Sequence, residues 1–405
     1  MMGRNQIGSE LVTSNSQQTS TDRSTLLRKC LKKKKFLWII IGLIIVILIV
    51  TITIVIINTK TKITKLSIVT TETINMINLL TVTSETTNEE FTTTAGNPTT
   101  EIQSKPKCDK WKPHGITVAG GNGLGDSLSQ LSQPYGIYID DDKTIVIADY
   151  RNNRIVEWKY NSNNGQIIAG GNGHGNRPNQ VYGPTDVTVD KQKNAIIICE
   201  HHNKRVMRWL RQSQTNPQIL ISDIYCRGVA VDKDGSIYVS DWQKDEVTRW
   251  KEGDTYGTIV AGGNRKGENF NQLWSPSYIF VDKDYSVYVS DTLNHRIIKW
   301  KKDAQEGIVV AGGNGVGNHL NQLCHPFGMI VDNLGQIIIA DYENHRIMKW
   351  YEGDANGSVV AGGNGEGERS DQLLFPRDVS FDIEGNLYVT DSDNHRIQKY
   401  DLCTE

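Results

Sequence analysis

His325-Pro326-Phe327-Gly328-Met329-Ile330-Val331-Asp332 opens a run that continues through Gly335-Gln336-Ile337-Ile338-Ile339-Ala340-Asp341, Asn344-His345-Arg346-Ile347-Met348-Lys349-Trp350 and Gly357-Ser358-Val359-Val360-Ala361-Gly362-Gly363. These four segments are short and rich in β-branched residues. Asp, Asn and Gly turns separate them, which is the pattern of antiparallel strands. Together, as strands a to d, they make one small sheet. The closing Ala-Gly-Gly also stands at 119–121, 169–171, 261–263 and 311–313, so the spacings are 50, 92, 50 and 50. A sheet of this size cannot bury its own faces, so copies must pack in a row or a ring. Strand c ends in an aromatic at Trp158, Trp209, Trp250, Trp300, Trp350 and Tyr400, which predicts an all-β, six-bladed β-propeller over residues 107–405.

The last copy stops after strand c, at Tyr400, and the first begins with an orphan strand d, Gly115-Ile116-Thr117-Val118-Ala119-Gly120-Gly121. Closure by that N-terminal strand leaves no edge without a partner. It also brings Cys108 beside Cys403, and a disulfide between them is expected to lock the ring.

The motif Asp-x-x-Asn-His-Arg-Ile occurs at 291–297, 341–347 and 391–397, and Asp149–Ile155 carries Asn153 in the His place. This resembles the NHL repeat, over all six blades. The resemblance implies a six-bladed NHL propeller. Its relatives include RNA-binding proteins, sensor domains of membrane kinases and the zinc-dependent peptidylamidoglycolate lyase. In the lyase the zinc ligands follow a Pro-type position at the start of strand a. The matching residues here are Tyr135, Thr185, Arg227, Ser277, Phe327 and Arg377, and none is His. The resemblance therefore does not carry lyase activity over.

Upstream of the repeats the chain changes character. Residues 1–35 carry eight Lys/Arg and two Asp/Glu and read as a disordered, basic cytoplasmic tail. Residues 36–57 form an uncharged apolar run of 22 residues, which at about 1.5 Å per residue is long enough to cross a bilayer core. The basic cluster Arg28–Lys35 precedes it, so a type II signal anchor is expected, with the propeller extracellular or luminal. Residues 58–106 hold fifteen Thr and read as a stalk. Cys30 beside the run is a palmitoylation candidate. The remaining 107–405 is acidic, with 32 basic and 39 acidic residues. That balance and the outside topology argue against nucleic acid as a partner.

Several motifs look chemical and read as structural. The G-G-N-G-x-G runs at 120–125, 170–175, 312–317 and 362–367 lack the following helix that a phosphate loop needs, so they read as turns. His295, His345 and His395 recur once per blade, which points to one shared packing job and to no metal site. Asp232-Lys233-Asp234-Gly235 lacks the later ligands of a calcium loop and reads as a hairpin turn. No role is assigned to Cys324.

The irregular copy between Gln218 and Gly228 lacks the glycine loop. Around it stand Glu200-His201-His202, Cys226-Arg227 and Asp241-Trp242, and a Cys199–Cys226 disulfide is expected on that face. A harmless deletion and a functional notch both remain open. The same face collects Tyr135, Tyr150, His201, Arg227, Trp242, Phe327, Tyr342 and Arg377 at the channel mouth, and Tyr, Trp and Arg are residues that binding sites favour. Asn356-Gly357-Ser358 is a glycosylation sequon in a c–d turn on the opposite face. The expectation is a noncatalytic module that binds an extracellular protein or glycan, with no cofactor and no catalytic residue. The alternative is a metal-dependent lyase or hydrolase of the peptidylamidoglycolate-lyase type, working in the central channel.

Overall fold

The computed structural model describes residues 110–211 and 217–403. The tail, the apolar run, the stalk, Cys30 and Cys108 lie outside them. No helix among the described residues is long and apolar enough to cross a membrane.

Six four-stranded antiparallel sheets form the blades. Blades 1 to 5 span 134–170, 184–222, 226–262, 276–312 and 326–362. Blade 6 joins three strands from 376–400 to the N-terminal strand Ile116–Gly120, in the order expected for closure. Ile116 pairs with Lys399, and Gly120 pairs with Arg396. Trp111 extends the seam by bridging to Leu402, stacking on Phe381 and donating Nε1–H to the Gly385 carbonyl at 2.9 Å. The Cys403 N–H donates to the Lys110 carbonyl at 2.9 Å, and Cys403 is disulfide-bonded.

Each blade's strand b is buried along its whole length, as in Ile145–Asp149 and Leu387–Asp391. Its two faces pack on the two neighbouring blades, so it reads as a continuous apolar run with no alternation. Strand d faces solvent on its outer edge and begins exposed, as in Thr258–Gly262. The core is correspondingly divided. One cluster joins Val146, Ala148 and Ile155 of blade 1 to Val187, Ile196 and Met207 of blade 2. Another joins Tyr388 and Ile397 of blade 6 to Ile137 and Ile147 of blade 1. Every blade is therefore held mainly by its neighbours.

The repeated Asp-x-x-Asn-x-Arg does the remaining fastening. In blade 1 the buried Asp149 accepts from Ser132 N–H at 2.7 Å, Asn152 Nδ2 at 2.8 Å and Arg154 Nε at 2.7 Å. Arg154 then reaches the Asp126, Ser127 and Gln130 carbonyls of the preceding glycine loop. Arg205, Arg296, Arg346 and Arg396 grip their own preceding loops in the same way. In blade 3 that loop shrinks to 223–225, and Glu246 stands where the others have Arg. Without loop carbonyls to hold, the guanidinium has no job. The glycine runs are turns, as expected, with Gly120, Gly121 and Gly123 at φ of 66°, 76° and 77°. Asp232 likewise caps the a–b turn by accepting from Asp234 and Ser236 N–H.

Candidate functional site

Strand a of every blade carries a one-residue bulge just after its Pro-type position, as between Pro326 and Met329. A bulge re-aims the side chain it displaces. Here it turns Tyr135, Thr185, Arg227, Phe327 and Arg377 toward the axis, while Ser277 is buried against Thr292, and the residues after the strand-b acid form a second tier. The two tiers enclose a cavity of ≈ 210 Å³ lined by Tyr135, Tyr150, Thr185, His201, Arg227, Tyr278, Phe327 and Arg377.

Six of the eight expected residues line this cavity. The other two stand behind it. Trp242 stacks on His201 with centroids 5.8 Å apart and lies under the Arg227 guanidinium at 4.9 Å. Tyr342 packs on Phe327 at 4.8 Å and accepts from Arg377 Nη2 at 3.1 Å. Tyr135 and Tyr150 stack at 4.1 Å, and Arg377 lies 3.7 Å over the Tyr135 ring. The aromatics thus orient the two arginines.

No carboxylate lines the cavity. Arg377 Nε is buried with no hydrogen-bond partner, and Arg227 has a 3.3 Å contact to Ser275 Oγ. Burial and the Arg377 charge hold the Arg227 guanidinium below its ordinary pKa. Burial, Arg227 and His202 likewise lower His201, so that imidazole is neutral near pH 7. Glu200 faces away. It takes the place of the repeat Asp and pairs with Arg205 at 3.2 Å.

Thr185 and Tyr278 also line the cavity and are not among the eight residues expected there. Tyr278 crosses beneath the cavity and donates its hydroxyl to the Thr185 carbonyl at 2.9 Å. Its position in the repeat reads Gly136, Asp186, Gly228, Tyr278, Gly328, Asp378 around the ring. Large and absent side chains alternate, and that alternation was a signal open to sequence reading. A Cβ on Gly136 would stand 2.4 Å from Asp186 Oδ1, so the small residue makes room for the large one next door. Asp186 and Asp378 each accept two backbone N–H groups, from Val187 and Val229 and from Val379 and Ile137. Tyr278, Asp186 and Asp378 also line a second cavity of ≈ 270 Å³ below, so these three side chains divide the channel.

Cys199 and Cys226 are bonded, with Cα atoms 5.8 Å apart, and tie blade 2 to blade 3 beside the short loop. Asn356 is exposed between strands c and d of blade 5, at the end away from the cavity. The repeated histidines share one job. His295, His345 and His395 each accept, through Nδ1, a 3.2 Å bond from a backbone N–H of the next blade.

Residues 323–350 and 373–400 match the NHL repeat. This propeller carries NHL repeats. No curated protein matches it in sequence. Among solved structures, the NHL propeller is similar to a protein of unknown function from Bacteroides thetaiotaomicron VPI-5482, at 18% identity and a TM-score of 0.58 over 72% of this chain and 76% of that one. It is also similar to an auxiliary nutrient binding protein from the same organism, at 14% identity and 0.56 over 71% and 76%. A gluconolactonase from Xanthomonas campestris matches at 16% identity and 0.50 over 73% and 96%. At these identities the likeness speaks for the fold, which hosts binding proteins and enzymes alike.

Proposed function

We propose that this NHL propeller is a noncatalytic binding module whose channel mouth receives a small anionic group, carried on a glycan or peptide ligand. One observation carries the reading: Arg227 and Arg377 both face a cavity that no carboxylate lines. A carboxylate, sulfate or phosphate would relieve their mutual repulsion and accept charged hydrogen bonds from both guanidinium groups. The surrounding Tyr and Phe rings would pack the body of the ligand, and the volume suits a group of monosaccharide or amino-acid size.

A lyase or hydrolase reading needs converging metal ligands or a free base in the channel. The upper cavity offers one imidazole, His201, and no carboxylate, and the two carboxyls below it, Asp186 and Asp378, are each taken up by two backbone N–H groups. The nutrient-binding relative supports the binding reading only at the level of fold. We further propose the membrane-tethered, outward-facing topology that the apolar run 36–57 suggests.

The test is calorimetric titration of the protein with glucuronate and with glucose. The acid should bind and the neutral sugar should not. Arg227→Met and Arg377→Met should each weaken binding roughly tenfold to hundredfold, since a charged hydrogen bond contributes about 1.5–3 kcal/mol. Equal binding of acid and neutral sugar, or no effect of either substitution, would overturn the reading.

A further inference from the structure

One junction between blades differs from the others. The repeat histidine of blade 4, His295, packs edge-on against His325, with ring centroids 4.7 Å apart. Ligand atoms of His295, Cys324 and His325 all lie within 4.8 Å of one another. Glu343 joins them. Its Oε2 lies 3.1 Å from Cys324 Sγ and 3.0 Å from His325 Nδ1, and Sγ is 3.6 Å from that same Nδ1. Cys324 is a free thiol. The imidazole and carboxylate of His325 and Glu343 are 27% and 44% exposed, so the cluster opens to solvent.

The repeat supplies its own control. At the next junction, His345 accepts the same backbone bond from Phe375, whose neighbour is Leu374. At the ring-closing junction, His395 accepts it from Gln133, beside Ser132. His325, Phe375 and Gln133 all hold a left-handed backbone, with φ of 51°, 51° and 46°. The fold therefore accepts apolar or neutral polar side chains at these positions and does not require Cys324 or His325.

We propose that His295, Cys324, His325 and Glu343 bind a zinc-class divalent transition metal that clips blade 4 to blade 5. Two imidazoles, a thiolate and a carboxylate are the ligand types zinc takes, and a thiolate disfavours calcium or magnesium. Charge balances: the thiol proton leaves to solvent, and thiolate and carboxylate together neutralise the dication. The observed separations of 3.0–3.6 Å among Cys324, His325 and Glu343 are close to those across a tetrahedral ion with bonds of about 2.0–2.3 Å. His295 must draw in, and it gives up the 3.2 Å bond to the His325 N–H in doing so. The loss is that of a single hydrogen bond, small beside the free energy of a filled structural zinc site. This site shares no residue with the lining of the arginine-bearing mouth and does not depend on the ligand proposed there.

The full-length protein, stripped with chelator and dialysed, is titrated with cobalt(II) and followed in the near ultraviolet. Wild type should take up about one ion per chain and develop the charge-transfer band of a cobalt–thiolate bond. Zinc should then bleach it. Cys324→Ser should lose the band. His325→Phe, which copies the residue blade 6 uses, should weaken uptake at least tenfold while leaving metal-free unfolding close to wild type. His201→Ala, in the other site, should leave the cobalt band and its stoichiometry unchanged. Absence of the band in wild type, or metal uptake unchanged in both Cys324→Ser and His325→Phe, would overturn the proposal.

Discussion

Arg154→Ala should be among the most damaging single changes in this protein, although Arg154 lies in neither proposed site. Its guanidinium is 4% exposed, beside an Asp149 carboxylate that is fully buried. Removing one partner of such a pair costs about 3–5 kcal/mol, because the remaining charge stays buried. The three loop carbonyls it also serves belong to Asp126, Ser127 and Gln130. They sit near solvent and can take up water, so their loss adds little. Asp149 keeps its bonds from Ser132 and Asn152, which softens the charge. A cost of about 4 kcal/mol follows, a large share of the roughly 5–15 kcal/mol that holds a typical domain. Glu246→Ala is the matched control. It alters the same place in the one blade that lacks the loop, and should cost under about 1 kcal/mol. Urea unfolding followed by tryptophan fluorescence gives both numbers. Hydrogen exchange should show the extra opening of Arg154→Ala concentrated in blade 1 and the loop 121–131 before it. If Arg154→Ala stays within about 1 kcal/mol of wild type, or costs no more than Glu246→Ala, the arginine does not fasten the loop.

Two further outcomes follow from the channel and the short-loop blade. Burial raises both Asp186 and Asp378, and places Asp186 at about 7. A raised carboxyl keeps its proton in the folded state where the unfolded chain has lost it. Stability from this source is therefore full below about pH 4 and is lost as pH climbs through 7, at up to about 1.4 kcal/mol per unit for each group. Asp186→Asn should flatten the fall in melting temperature between pH 4 and pH 7 relative to wild type, and an unchanged slope would contradict it. Replacing Cys199 and Cys226 together by Ala opens a bridge across a sequence separation of 27. The loop-closure relation gives a loss of about 3–4 kcal/mol, and an unchanged urea midpoint would show that packing alone holds blades 2 and 3 together.

Much of the site was legible because a propeller turns sequence position into place. Once the repeat was in register, the residues after the Pro-type positions fell into equivalent places, so Tyr135, Arg227, Phe327 and Arg377 could be named together. Trp242 and Tyr342 were named with them but support the wall from behind, because repeat register does not say how large neighbouring rings share space. Tyr278 was missed for the same reason. It crosses the channel to the Thr185 carbonyl, a contact between residues 93 apart in the chain. The histidines are the instructive case. Reading His295, His345 and His395 as equivalent was right for their shared Nδ1 bond, yet it hid what distinguishes one of them. Cys324 and Glu343 meet His295 only where blade 5 packs on blade 4.

The sequence by itself determined the six blades, their closure by the N-terminal strand and the channel-facing positions. Period, turn residues and short β-branched runs are local or repeating signals that a chain carries openly. Tertiary structure alone decided which side chains meet across blade boundaries. Each blade buries its faces against its neighbours, so the arginine pair, the channel-dividing tyrosine and the His–Cys–His–Glu cluster exist only once separate repeats are pressed together.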